Sequence, residues 1–192
     1  MKKKPVGVAV CGSFCTYWDI IPLLHELKET YDLFPVASEA VCTVDTRFGK
    51  AADFMSEFEK ACGKKAITSI AQAEPIGPKG LFDLLIVAPC TGNTLGKLAC
   101  GITDSTVTMA CKAHLRNARP LLIAVSTNDG LGGNAENIGR LLQRKNIYFV
   151  PFGQDGPDTK QNSLQSDFSL LKPAAEAALE GRQLQPVLLG SV

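Results

Sequence analysis

Charge of one sign is the first thing this sequence lacks. Twenty basic residues stand against nineteen acidic ones in 192, so no net field attracts nucleic acid or an anionic membrane, and neither partner is expected. Outside Lys2–Lys4 there is no lysine or arginine block. Long apolar runs are missing too: the longest uncharged stretch, Pro5 to Trp18, is too short to span a bilayer. Its apolar part, Val6 to Cys11, is brief and lacks a small-residue cleavage site, so no signal peptide is expected. There is no C-x-x-C pair among the seven cysteines, Cys11, Cys15, Cys42, Cys62, Cys90, Cys100 and Cys111. An odd number in a chain too large to need disulfide staples points to a reducing cytosol. Histidine is scarce, with only His25 and His114. Both fall on helical stretches and read as partly exposed structural residues, and no metal site is expected. The dinucleotide pattern G-x-G-x-x-G and the P-loop G-x-x-x-x-G-K-[ST] are both absent.

What is present is an ordinary globular composition, 45% hydrophobic and 20% charged, in a chain long enough to bury roughly 70% of its unfolded surface. One domain over 1–192 is the default, with a core from about 5 to 152 and a polar loop and C-terminal helices over 153–192. The organising stretch is Leu81 to Asp104, LFDLLIVAPCTGNTLGKLACGITD. Leu84, Leu85, Ile86 and Val87 form a continuous apolar run, the pattern of a strand covered on both faces in a parallel sheet. Ala88 and Pro89 are expected to stop it, because proline has no backbone donor. Cys90 to Thr94 then lie beyond the carboxyl end of the sheet, where ligands of open α/β sheets sit. Neutral hydroxyls, an amide and a glycine at the start of a helix suit a phosphate or a polar heteroaromatic ring. A second reading of the same residues makes Thr94 a helix cap and Gly92 an ordinary turn.

The rest of the chain alternates. Val6 to Cys11 reads as a first buried strand, broken by Gly12-Ser13 and followed by a helix with Ile20, Ile21, Leu23, Leu24 and Leu27 on its apolar face, Pro22 being tolerable near the first turn. Strand, Gly-Ser and helix is an arrangement that holds phosphate, and also that of any βα turn. Leu33 to Ala37 reads as a strand ending at Ser38, Val41 to Lys64 as mostly helical, Ala66 to Ile70 as a short strand, and Ala71 to Gly80 as a loop serving as a flap or a subunit contact. Helices are expected from Leu95 to Cys100 and from about Ser105 to Asn117. A strand follows over Leu121 to Val125 with a polar turn at Ser126 to Gly130, then a helix over Asn134 to Lys145, a strand over Ile147 to Val150, a polar loop over Phe152 to Gln165, and helical pieces over Asp167–Lys172 and Pro173–Glu180. This predicts a three-layer, Rossmann-like α/β fold with a mostly parallel sheet of about six strands. Its carboxyl edge gathers Gly12, Ser13, Ser38, Thr91, Asn93, Thr94, Ser126, Thr127 and Asn128.

The block Ala88-Pro-Cys-Thr-Gly-Asn-Thr94, continuing Leu95-Gly-Lys-Leu-Ala-Cys-Gly-Ile-Thr-Asp104, resembles the A-P-x-[TS]-x-N-T-x-x-K-[LI]-A-x-G-[IL]-x-D signature of the FMN-binding flavoprotein family, which contains cysteine decarboxylases and flavin prenyltransferases. The resemblance implies that Gly12, Ser13 and Ser38 hold the FMN phosphate, with Phe14 also among the cofactor-binding residues. It implies that Cys90, Thr91, Asn93 and Thr94 line the flavin, that Ala88, Pro89 and Asn128 belong to the same cofactor site, and that Arg119 matches a basic position of the prenyltransferase branch. The decarboxylases' His-Ile pair is replaced here by Pro75-Ile76, their Pro-x-Met-Asn turn by Ser126-Thr-Asn128, and the prenyltransferases' Arg-Glu-Thr-Pro turn by Ser126-Thr-Asn-Asp129, so neither chemistry transfers intact and the catalytic residues stay unassigned.

Three further stretches, Val10 to Tyr17, Ala113 to Asn117, and Ser126 to Leu131 with Tyr148 to Asp155, extend the likeness to a two-component, dipicolinate-forming branch of sporulating bacteria. That branch implies an oxidoreductase component in the mother-cell cytoplasm. Its partner would be the other, A-type component of a dipicolinate synthase, carrying NADP, and its substrate a small dihydropyridine dicarboxylate, with homo-oligomers built on trimers. Lys112 and Arg116 are candidates, beside Arg119, to meet the carboxylates. The alternatives are a non-catalytic assembly component with a vestigial FMN site, and an FMN-dependent decarboxylase or flavin prenyltransferase with substituted groups.

Overall fold

The structure, a computed structural model, describes residues 2–190. Its sheet begins with β1 (Lys4–Val10) and β2 (Tyr31–Ala37), joined by α1 (Tyr17–Thr30) after a 3-10 turn at Phe14–Thr16. Strand β3 (Leu84–Cys90) pairs parallel to β1, and β4 (Leu121–Thr127) parallel to β3. The far edge of β4 is shared: β5 (Ile147–Phe149) runs parallel along its first half, while β7 (Leu164–Ser166) runs antiparallel against Ser126 and Thr127 and carries β6 (Phe152–Gln154). The main strand order is thus β2-β1-β3-β4-β7-β6, seven strands with β5 included, one more than expected. A hairpin in the stretch read as a polar loop over Phe152 to Gln165 adds two strands, and the one expected over Ala66 to Ile70 drops out.

Alternate residues of each central strand enter opposite cores, as the two-residue period of a strand requires. Val6, Val8, Leu84, Ile86, Leu122 and Ala124 face α1, α3 (Ala51–Cys62) and α9 (Leu171–Leu179). Ala9, Leu85, Val87, Leu121, Ile123 and Val125 face α6 (Gly92–Cys100), α7 (Thr106–Leu115) and α8 (Ala135–Leu142). Burial on both faces explains why the strands read as continuous apolar runs. Helix α6 starts three residues earlier than expected, because Thr91, not Thr94, is its cap and accepts from the Thr94 N–H. Ser105 opens α7 through a reciprocal capping box with Thr108.

Several expectations need correction. Strand β3 does not stop at Ala88; it continues to Cys90 through a register shift after Val87 with a cis Ala88–Pro89 bond, and Pro89 sits at that irregularity, where a missing donor is tolerated. The helix expected over Val41 to Lys64 is two helices, α2 (Glu39–Thr43) and α3. Between them Thr46 and Gly49 exchange backbone hydrogen bonds, and an Asp45 carboxylate oxygen accepts from the Ala51 N–H at 2.9 Å. The strand expected over Ala66 to Ile70 is a single bridge between Val36 and Ile67. Ala71 to Gly80 is no flap: α4 (Ile70–Ala73) and α5 (Ile76–Lys79) bury Ala73 and Ile76. Gly77 lies so close to α7 that an added Cβ would stand 2.8 Å from the Ala113 carbonyl oxygen. Pro22 lies inside α1, beyond its first turn.

Candidate functional site

The carboxyl ends of β1, β3 and β4 open onto one cleft of ≈ 490 Å³, lined by Gly12, Ser13, Phe14, Thr91, Gly92, Ser126, Thr127 and Asn128 among others. That volume falls within the ~300–1,000 Å³ of small-molecule sites. The site exists because each strand is apolar up to its last turn and polar immediately after. Strand β3 lies between β1 and β4, yet the hydroxyls of Ser13 and Ser126 meet across its end at 2.9 Å. Below them, the Thr91 hydroxyl donates to the Thr94 hydroxyl at 3.2 Å, and the Thr94 hydroxyl reaches the Cys11 sulfur at 3.2 Å.

A second polar chain closes the side next to β4. Asp129 accepts from the Thr127 hydroxyl at 2.5 Å and from the Asn134 amide at 2.8 Å. Thr127, with burial opposing and Asn134 assisting, holds its carboxyl below the usual range. This chain presses on the first turn of α6: a Cβ added to Gly92 would meet Thr127 Oγ1 at 2.6 Å, Asp129 Oδ1 at 2.8 Å and, closer still, Asn134 Nδ2. A side chain there would have to displace the Thr127–Asp129–Asn134 hydrogen bonds, so Gly92 is a close-approach residue as well as a turn.

Of the residues singled out by sequence, Gly12, Ser13, Phe14, Thr91 and Asn128 line the cleft. Ser38 stands at the end of β2 beside that of β1, its N–H bonded to the Val10 carbonyl at 3.1 Å. Its hydroxyl oxygen is buried without a partner, as is that of Tyr17. Ala88, Pro89, Cys90 and Thr94 lie behind the cleft wall, all nearly or fully buried, while Asn93 is exposed on α6. Burial pushes the Cys90 thiol well up, which fits an inert packing residue.

The cations are placed elsewhere. Arg119 Nη1 donates to the carbonyls of Gly80, at 3.0 Å, and Phe82, and pairs with Asp83 at 3.3 Å, all at the amino end of the sheet. Lys112 and Arg116 are exposed at the last turn of α7, outside the cleft lining. None of the three meets the cleft within one chain. His114 is buried rather than partly exposed, with Nε2 2.8 Å from the Pro120 carbonyl oxygen. Burial, partly offset by that carbonyl, lowers its pKa.

Sequence reading missed the other half of the lining. Arg47 and Phe48 come from the turn between α2 and α3, and Asp155, Lys160, Ser163 and Gln165 from the β6–β7 hairpin. Burial pushes the Asp155 carboxyl up, but hydrogen bonds from Ser163, at 2.5 Å, and Lys160, at 3.1 Å, outweigh it and leave it below the usual range. The available signals were Gly49 after Thr-Arg-Phe, a turn inside a helical period, and the Gly and Asp residues from 153 to 158.

Residues 1–154 match the family model described as Flavoprotein. The chain is 45% identical over 190 residues to the B-type component of dipicolinate synthase from Bacillus subtilis (strain 168), covering 98% of this chain and 95% of that one. It superposes on a crystal structure of the same component from Bacillus halodurans C with a TM-score of 0.90 at 42% identity, covering 100% of this chain and 98% of the other. The FMN binding protein AtHal3 shares the fold, with a TM-score of 0.66 at 18% identity over 95% of this chain and 100% of its own.

Proposed function

The chain belongs to the flavoprotein family, and from that premise we propose that it is the flavin-holding component of a dipicolinate synthase. In this reading it works in the cytoplasm with the synthase's A-type component, a nicotinamide-dependent chain that uses NADP, and converts a dihydrodipicolinate-type precursor to dipicolinate. The observation that carries the reading is the meeting of Ser13 and Ser126 across the end of β3, which joins separate strand ends into one hydroxyl-lined cleft.

The residues fit FMN. The buried Ser38 hydroxyl without a protein partner is a donor awaiting an acceptor, since buried polar groups are otherwise paired. Together with Ser13 and the backbone of Gly12 it suits a phosphate, and the neutral groups of Thr91, Asn128 and the first turn of α6 suit a polar ring. When bound, FMN supplies a hydride acceptor, the chemistry that loss of two hydrogens to an aromatic ring requires. In this reading the chain's own residues orient the ring and phosphate, and the substrate takes the remainder of the same cleft. Assembly into a symmetric homo-oligomer, a trimer or a multiple of one, is part of the same reading. Exposed Trp18, Val44 and Phe48 supply apolar surface next to the cleft.

The neutral donor set also favours a second reading, an assembly component that activates its A-type companion without redox chemistry of its own. The two part in a visible spectrum of the purified chain and in an assay with that companion. A yellow protein, stabilised by about 2.7 kcal/mol at FMN a hundredfold above Kd, whose Ser13→Ala variant fails to support product formation, is expected. A colourless chain indifferent to FMN that still activates the companion would replace the first reading by the second.

A further inference from the structure

A dicarboxylate needs cations, and the three that the sequence offered lie outside the cleft. Two others lie inside it. Among the cleft's lining residues Arg47 and Lys160 are the basic ones and Asp155 the acidic one, which leaves the site with a local charge of one positive unit and otherwise neutral walls. They come from opposite ends of the strand order: Arg47 from the turn beyond β2 and α2, Lys160 from the hairpin beyond β4.

Resting on the reading above, we infer that Arg47 and Lys160 are the residues that recognise the two carboxylates of the dihydropyridine dicarboxylate, one at each side of the ring. The Arg47 guanidinium lies over the Phe48 ring at 4.8 Å, a cation–π contact that holds it beside the cleft. Among the described residues it has no carboxylate within ion-pair distance, so its charge is not already taken. Lys160 is anchored: it pairs with Asp155 at 3.1 Å. Asp155 accepts from the Ser163 hydroxyl at 2.5 Å, and the same hydroxyl stands 3.3 Å from the Thr127 carbonyl at the end of β4, the longer and alternative acceptor for its one proton. One of three ammonium donors is used and two remain. Asp155 is therefore a positioning residue for Lys160. The polar side chains of Asn128 and Gln165 occupy the same lining.

The test uses the full chain, with and without FMN, titrated calorimetrically with pyridine-2,6-dicarboxylate and with pyridine-2-carboxylate. Arg47→Met and Lys160→Met are each expected to weaken the dicarboxylate about tenfold, the loss of one charge-assisted pair. The monocarboxylate should respond to one substitution only, and FMN affinity, read by flavin fluorescence, should stay within about twofold. Dicarboxylate binding indifferent to both substitutions, or absent in the wild type, overturns the inference. So does an Arg47→Met variant that loses FMN but not riboflavin, which would make Arg47 a phosphate ligand. Failure of FMN to bind at all is a separate outcome, sinking the flavin reading while the dicarboxylate comparison in its absence still decides the role of the two cations.

Discussion

The two ends of the same parallel sheet treat their polar groups in opposite ways. At the amino end the donors packed into the fold are spoken for: Arg119 is held by two carbonyls and Asp83, and His114 by the Pro120 carbonyl. At the carboxyl end hydroxyls pair with one another, the Ser38 hydroxyl pairs with nothing, and Arg47 faces no carboxylate among the described residues. Saturated groups hold a fold together, and unsaturated ones are available to a ligand. The difference teaches that charge alone is a poor guide to this site.

The strongest way to test that division is to crowd each end in turn. Gly92→Val places atoms on Asn134, Thr127 and Asp129. It is expected to cost about 2–3 kcal/mol in denaturant unfolding and to abolish FMN-dependent stabilisation. Gly77→Val strikes the Ala113 backbone, which cannot swing aside as side-chain ends can, and should cost at least as much, while the protein that remains folded binds FMN normally. If both variants lose FMN equally, the two ends are not independent.

Next in size is Arg119→Ala. Removing a guanidinium with three partners should cost about 1–2 kcal/mol and leave FMN affinity unchanged in equilibrium titration. A tenfold loss of FMN would show that Arg119 reaches the cleft of a neighbouring copy, and would move it from the structural end to the functional one.

This placement is legible in the sequence, on a different argument from the one that resemblance suggests. Arg119 directly precedes Pro120 and β4, and residues before a parallel strand lie at the amino edge. Lys112 and Arg116 end a helix that returns antiparallel to the strands, which delivers them to the same edge. The polar turns after β1, β3 and β4 are legible for the converse reason, an apolar run switching abruptly to Ser, Thr and Asn. Arg47 and Phe48 are hidden because Ala52, Met55, Phe58 and Cys62 set a helical period that reads straight back across Gly49. Lys160 and Gln165 are hidden because strands of three residues are too short to show alternation, and their pairing with β4 is a tertiary fact.

A smaller effect separates the ends by pH. His114 has its pKa lowered in the fold, so below about pH 6.5 the unfolded chain binds more protons than the native one. Stability should fall on acidification, by at most about 1.4 kcal/mol for each pH unit under that value, and level off once the native His114 also titrates. A His114→Gln variant should lose this component of the acid dependence in unfolding titrations from about pH 7.5 to 5, with FMN affinity at neutral pH unaffected. Equal acid sensitivity in the variant would place the titrating group elsewhere.

The smallest expected effect is the most discriminating. Ser13 and Ser126 share one hydrogen bond, and Ser13 also accepts from the Thr16 hydroxyl at 3.2 Å, so Ser126→Ala should lose about 0.5–1 kcal/mol and Ser13→Ala somewhat more. Their ligand affinities should diverge. Ser13→Ala removes a donor to the phosphate and should weaken FMN about tenfold. Ser126→Ala frees the Ser13 hydroxyl from its protein partner and should leave FMN binding unchanged or slightly tighter, because less is given up when the phosphate arrives. Matched losses of FMN affinity in both variants would mean that the pair acts as a strut between β1 and β4, and the phosphate would then have to be sought at Ser38 alone.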